Sequence, residues 1–408
     1  MTFEQFTFLP QVNAGISACG YTTPTPIQAQ TIPPILQGRD VLGLAQTGTG
    51  KTAAFVLPIL QRLLNRPRGR LRALIISPTR ELSEQTHQSI RTLGSKTGLR
   101  SMTLYGGVSL IPQIRGLRDG VEIAVACPGR LLDLYNQGKV NFNSIEIVVL
   151  DEADHMFDMG FLPDIRRILK ALPNNRQTLL FSATMPDEVR GLATEMLRNP
   201  ETIEIGISRP LETVSHSAYP VHQTQKTSLL LNLLGNTGNG QVLVFTRTKH
   251  RAKKLSEQLI HAGVSATSLQ GNLSQNKRLE AMDRFRSGKA KVMVATDIAA
   301  RGIDVSQVTH VINYDIPDTA DAYTHRTGRT GRMERLGEAY SLITPEDVIM
   351  VRTIERLLGK RLERRNVGEF EIPNPDVPMD VRQTSQRPGR PQQFQRRPRQ
   401  GTPLRSSR

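Results

Sequence analysis

The chemistry available to this chain starts at Gln46-Thr47-Gly48-Thr49-Gly50-Lys51-Thr52, a run set between an apolar segment at 41–45 and the helix-compatible Ala53-Ala54-Phe55. Strand, glycine loop and helix in that order cradle a triphosphate. Gly48 and Gly50 let backbone N–H groups close on phosphate oxygens, Lys51 reaches the β and γ phosphates, and Thr52 can hold Mg²⁺. Ala45 stands where the general pattern has its first glycine. A flexible turn would account for the glycines alone, but not for Gly-Lys-Thr opening a helix.

A phosphate-bound metal needs a carboxylate, and the apolar run Ile147-Val148-Val149-Leu150 ends directly in Asp151-Glu152-Ala153-Asp154. A buried strand places such acids in the crevice where parallel α/β sheets bind ligands. Asp151 suits Mg²⁺ through water, and Glu152 suits polarising an attacking water. Alone, these residues would also fit a solvated acidic turn; the phosphate loop in the same half favours the site. The placement recurs. Pro78-Thr79-Arg80-Glu81, Gly106-Gly107, Cys127-Pro128-Gly129-Arg130 and Ser182-Ala183-Thr184 each follow a predicted strand, so they converge on one rim.

The second half repeats this logic at Thr296-Asp297, with Ala300-Arg301-Gly302-Ile303-Asp304 just beyond. His325-Arg326-Thr327-Gly328-Arg329-Thr330-Gly331-Arg332 sets arginines three residues apart. On a helix Arg329 and Arg332 share a face, and they could act as arginine fingers on a γ-phosphate held by the other half. A plain basic RNA-binding helix remains the alternative for this segment by itself.

These residues need rigid elements to position them. Strands are predicted at 41–45, 73–77, 102–105, 122–126, 145–150 and 178–182, then at 242–246, 265–269, 291–295, 309–314 and 339–343. Longer helical patterns alternate with them, which argues for an α/β fold with parallel sheets built from βαβ units. The stretch 207–222 carries Arg209-Pro210 and Tyr219-Pro220 without a helical period and is the expected hinge. The domains so delimited are 1–206, a linker at 207–218, a second lobe at 219–370, and a tail at 371–408.

Across 408 residues, 53 Lys and Arg face 37 Asp and Glu, for a net charge of +16 that favours polyanions. From 382 to the end, eight arginines and no acid supply half of that excess, with little apolar surface to bury, so the tail is expected to be disordered. Two cysteines, Cys19 and Cys127, exclude a disulfide framework, and no Cys/His spacing suggests zinc. No signal peptide or membrane-length apolar run is visible, so the expected setting is cytoplasmic, with no membrane partner.

Taken in order, Gly20-Tyr21-Thr22-Thr23-Pro24-Thr25-Pro26-Ile27-Gln28 and the segments at 45–52, 78–82, 151–154, 182–184, 295–304 and 325–332 resemble those of the DEAD-box helicases, over nearly the whole of 1–365. The start Met1-Thr2-Phe3, the segment Phe245-Thr246-Arg247-Thr248 and the basic tail look most like the RhlE-type bacterial branch. The resemblance implies two tandem RecA-like lobes with parallel sheets flanked by helices. It also implies RNA-stimulated ATP hydrolysis, with ATP and Mg²⁺ as cofactors. Tyr21 should stack on adenine with Phe3 nearby, Gln28 should read its polar edge, and Asp304 should touch the ribose. Arg329 and Arg332 should reach the γ-phosphate. Asp154, Ser182, Thr184 and His325 should couple the nucleotide to lobe closure. Arg80, Gly107, Arg130, Arg247, Arg278, Thr296 and Arg301 should contact the RNA backbone, with Gln275 and Arg278 matching the family's Gln-x-x-Arg element. Cys127 and Gln270 depart from the family's usual Thr and His.

The expected cycle is therefore closure of two lobes, apart without ligands, around ATP and RNA. Closure would bend one RNA strand and separate short duplexes with little sequence preference. A translocating DNA helicase and an ATP-gated RNA clamp for assembly are the rival readings. Bacterial relatives serve in ribosome assembly, RNA decay or cold adaptation, and these residues do not choose among those settings.

Overall fold

The computed structural model describes residues 2–46, 48–205, 214–300, 307–331 and 336–367, apart from the side chains of Ile298 and Ala300. Thr47, Arg301, Asp304, Arg332, the linker at 207–213 and the tail at 371–408 lie outside the described residues.

The first lobe is built on β1 (Val41–Leu44), β2 (Ala73–Ile76), β3 (Ser101–Leu104), β4 (Ile123–Ala126), β5 (Ile147–Leu150), β6 (Gln177–Ser182) and β7 (Glu201–Glu204), in the order β3-β4-β2-β5-β6-β1-β7. The second uses β8 (Val214–Pro220), β9 (Gln241–Phe245), β10 (Ala266–Leu269), β11 (Val292–Ala295), β12 (Val308–Asn313), β13 (Gly337–Ile343) and β14 (Glu363–Arg364), in the order β10-β11-β9-β12-β13-β8-β14. Add seven to each strand number of the first sheet and the second order results. The two halves are one topology used twice.

All pairings among the described strands are parallel. Parallel sheets are covered on both faces, which is why β2, β4 and β5 read as unbroken apolar runs. Successive residues then feed opposite cores: Val41, Ile75, Val149 and Leu179 on one side, Leu42, Leu74, Val148 and Leu180 on the other. Because all strands run one way, every strand-ending motif of a lobe comes out on the same rim.

The expected linker at 207–218 runs into a described strand. From Val214 the chain is strand β8, paired with β13 from Gly337↔Val214 to Ile343↔Pro220. Tyr219-Pro220 read as a break because proline lacks a donor, but at the last position of a strand that costs little. β7 and β14 were also missed; both are short edge strands whose residues stay largely exposed, so no apolar pattern marks them. No helix among the described residues is long and apolar enough to cross a membrane.

Candidate nucleotide and RNA cleft

The loop after β1 is shaped by glycine. Gly48 and Gly50 hold left-handed backbones at φ 90° and 97°, and Gly50 caps the helix Lys51–Leu64. The φ of 97° favours glycine at position 50, and a Cβ there would lie 2.5 Å from Gln28 Nε2 and displace that amide from the loop. Ala45 needs no such freedom: it is buried, and its N–H extends the β1–β6 ladder to the Ser182 carbonyl at 3.0 Å. That explains why alanine serves in place of the usual first glycine. Lys51, also buried, donates from Nζ to the Ala45 carbonyl at 2.6 Å, and Thr49 Oγ1 donates to the Gln46 carbonyl at 2.7 Å. Thr52 follows half-buried in the first turn of the helix.

Helix Pro26–Leu36 packs on helix Lys51–Leu64 and brings Gln28 to the loop. Gln28 Nε2 donates to the Gly50 carbonyl at 3.1 Å, and its Oε1 accepts the Thr25 N–H at 2.9 Å in a capping box. Each amide atom keeps one further hydrogen-bonding valence. Tyr21 is 42% exposed, and its ring is stacked on buried Phe3 with centroids 6.1 Å apart.

The acids at the end of β5 are all buried. Burial first, then the charge of Glu152, pushes the Asp151 carboxyl up to about 7. Glu152 feels the same burial, but His155, Arg329 and Lys51 together outweigh it and hold it below the carboxylate range. Its backbone is left-handed, φ 55° and ψ 55°, an uncommon state for a residue with a Cβ. Its Oε2 lies 2.8 Å from His155 Nδ1. Asp154 ties this segment to the next strand: Oδ2 accepts from Thr184 N–H at 2.9 Å, Thr184 Oγ1 at 3.0 Å and Ala183 N–H at 3.2 Å. Ser182 Oγ accepts the Asp154 N–H at 3.3 Å in return and donates to the Thr184 carbonyl at 2.7 Å.

The second lobe faces this crevice. Arg329 is buried and bonds through Nε to the His325 carbonyl at 3.3 Å, and its charge reaches Glu152. The His325 and His155 rings meet edge to face, centroids 5.0 Å apart. Arg326, given no role from sequence, anchors the segment. It pairs with both Asp297 oxygens at 2.5 and 2.7 Å, donates to Asn313 Oδ1 at 3.1 Å and the Asp315 carbonyl at 2.7 Å, and lies over the Phe245 ring.

A second cleft, of about 380 Å³, opens between the lobes and is lined by Arg80, Gly106, Arg130, Gly271 and Arg278 among others. It is fastened by a carboxylate absent from the sequence-derived set. Glu81 Oε1 accepts from Arg278 Nε at 2.6 Å and from Gln275 Nε2 at 3.4 Å, while Arg80 Nη1 donates to Gln275 Oε1 at 3.3 Å. Gly107, at φ 80°, lies under Arg80: a Cβ there would be 2.1 Å from Nη1. Arg130 reaches the Val108 carbonyl at 3.4 Å and Asp133 at 3.8 Å. Cys127 touches the cleft too, its thiol pushed up to about 11 by burial and 3.5 Å from Ser83 Oγ. Gln270 is buried and accepts the Asn272 N–H at 2.6 Å. Thr296 is half-buried at the end of β11. Arg247 is not brought into this lining; half-exposed, it is held by Asp318 at 3.3 Å and the Ile316 carbonyl at 3.3 Å. The lobes are in contact here, and the Glu81–Arg278 pair is one of the bonds that join them, beside Arg80–Gln275 and the His155–His325 ring contact.

Two family models match, "DEAD/DEAH box helicase" over residues 25–192 and "Helicase conserved C-terminal domain" over residues 225–334. The chain is 41% identical to a protein of Geobacillus kaustophilus named DEAD-box ATP-dependent RNA helicase CshA, covering 89% of this chain and 78% of that one. It is 40% identical to the protein of that name in Bacillus subtilis, covering 89% and 74%. Among solved structures it resembles S. cerevisiae Dbp5 bound to RNA and ADP BeF3, with a TM-score of 0.79, 30% identity and coverage of 90% and 95%. Mss116p bound to ssRNA and AMP-PNP gives a TM-score of 0.79 at 26% identity, covering 90% and 80%. These relatives carry the CshA name, so the RhlE-type branch expected from the start and tail finds no support. The two lobes are RecA-like, and the chain belongs to the DEAD-box family of ATP-dependent RNA helicases.

Proposed function

We propose that this chain couples ATP hydrolysis to lobe closure on RNA, through the residues assembled at the two clefts. One observation carries the reading: Lys51 and Glu152 of the first lobe and Arg329 of the second converge on a single buried crevice. Groups from both lobes can surround a γ-phosphate there only when the lobes meet.

The adenine stacks on Tyr21 and takes the remaining valences of Gln28, which prefers its donor–acceptor edge over that of guanine. The phosphates draw Lys51 from the Ala45 carbonyl and lie against the N–H groups at Gly48–Lys51, with Gln46, Thr47 and Thr49 completing the loop. Thr52 and Asp151 would hold Mg²⁺. One hydroxyl and one carboxylate, with phosphates and water, suit an ion that rarely takes an all-protein cage, and the cost of burying Asp151 beside Glu152 is relieved by a cation. The ion supplies charge neutralisation on the phosphates. Glu152 orients the attacking water, while Arg329, with Arg332, stabilises charge on the transferring group, a contribution of about 10³–10⁵ in rate. Asp304 holds the ribose.

Asp154, Ser182, Thr184 and His325 relay nucleotide state to closure: Asp154 binds the strand-end loop at Thr184, and the adjacent His155 meets His325 of the second lobe. Arg80, Gly107, Arg130, Arg278, Thr296 and Arg301 track sugar and phosphate, with Arg247 at the periphery. Contacts of this kind carry little sequence information, and 2′-hydroxyls set RNA apart from DNA. Short duplexes would be opened locally as one strand bends, and ribosomal or RNA-decay assemblies are settings in which such remodelling acts. The test is Lys51→Ala and Glu152→Gln. Both abolish RNA-stimulated phosphate release in this reading, and normal turnover in either removes its basis.

A further inference from the structure

His155 directly follows the acidic motif, and nothing in its sequence position marks it. In the fold it is 2% exposed and sits inside the crevice. Its Nδ1 is 2.8 Å from Glu152 Oε2. A carboxylate only accepts, so Nδ1 carries the hydrogen and donates. Its Nε2 is buried without a hydrogen-bond partner among the described residues. The ring face is set by His325 of the second lobe, perpendicular at 5.0 Å between centroids.

Glu152 needs such a holder. It stands at a left-handed backbone position, heading the short helix Ala153–Asp158, and both Lys51 and Arg329 pull on its charge. A carboxylate drawn by two cations that the phosphate also needs requires a further bond to fix its direction. Three residues on in that helix, His155 offers a ring N–H donor to the same carboxylate without belonging to the phosphate clamp.

We propose that His155 is a positioning residue for hydrolysis. Its Nδ1–H fixes the orientation of the Glu152 carboxylate, and its packing on His325 makes that fixing complete only when the lobes are closed. The inference rests on the reading of Glu152 as the group that orients the attacking water.

The experiment measures steady-state phosphate release by the full chain at saturating ATP and RNA, with half-saturating ATP and RNA concentrations determined separately. His155→Ala and His155→Phe should lower kcat about 10- to 100-fold, the range of one charge-assisted hydrogen bond, with both half-saturating concentrations nearly unchanged. His155→Asn, whose amide can donate to Glu152, should return kcat to within about 5-fold of wild type. Wild-type kcat in His155→Phe overturns the proposal. So does an Asn variant as slow as Phe, because then packing, not the donor, is what matters. Thermal melting of each variant reads folding independently, and His155→Phe keeps a ring in the site should Ala not fold. Normal turnover in Glu152→Gln would instead sink the reading of the site itself, whatever the His155 variants show.

Discussion

Glu81→Gln separates closure from simple electrostatics. Glu81 is an acid bordering a basic cleft, so its neutralisation should by charge alone improve RNA binding. The structure requires the opposite. Glu81 and Arg278 side chains are only 5% and 12% exposed, their atoms 2.6 Å apart, and they come from different lobes. When the lobes part, both charges regain water; when they close, Glu81 accepts from Arg278 and Gln275, and Arg278 has the Gln270 carbonyl at 3.3 Å besides that one counter-charge. Glutamine keeps the volume and one acceptor but leaves Arg278 buried without its counter-charge. Losing the ionic part of such a bond costs about 1–2 kcal/mol in the closed state alone, and about 1.4 kcal/mol is tenfold in an equilibrium. The RNA concentration giving half-maximal ATPase stimulation should therefore rise about 5- to 30-fold. ATP affinity without RNA should not move, because the nucleotide loop and Gln28 lie wholly in the first lobe. An unchanged or lowered RNA requirement would refute the assignment of this pair as the fastener of closure.

Gly107→Ala should raise the half-saturating RNA concentration about tenfold, since the new methyl displaces the Arg80 guanidinium and strains a φ of 80°; ATP binding without RNA serves as the unaffected control. Truncation after Asp380 should weaken RNA binding by about tenfold at low salt while leaving saturated turnover nearly intact, as measured by RNA titrations at two ionic strengths. His216, on β8, is lowered to about 4 by burial and by the charge of Lys360, and its Nδ1 lies 2.8 Å from the Tyr323 hydroxyl. The unfolded chain takes up a proton near 6.5 that the folded lobe refuses, so stability is full above that pH and falls below it, by about 2 kcal/mol at pH 5. His216→Gln should flatten the melting temperature between pH 7 and 5, and an equally steep acid loss in the variant would assign the effect elsewhere.

What the sequence made legible were features confined to one element and its end. Apolar runs such as Ile147–Leu150 have to be buried strands, and the acids that follow them have to emerge at the rim of a parallel sheet. What stayed hidden depended on a second element. Glu81 reads as part of a turn until Arg278 arrives from the other lobe, nearly two hundred positions on. Arg326 sits among arginines assigned to phosphate, and only Asp297, Asn313 and Phe245 around it show that it is a buried anchor. His155 lies beside the acidic motif, but its bond to Glu152 requires the left-handed turn that the sequence does not announce. Residues 214–220 read as part of a hinge because Tyr219-Pro220 flagged a break where strand β8 simply ends.

The central claim is that closure on RNA completes the hydrolytic site, and steady-state ATP hydrolysis with no nucleic acid, with single-stranded RNA and with matched single-stranded DNA tests it most directly. Strong stimulation by RNA, with little from DNA and little activity in its absence, is the predicted result. Equal stimulation by DNA, or full activity with neither, would contradict the account.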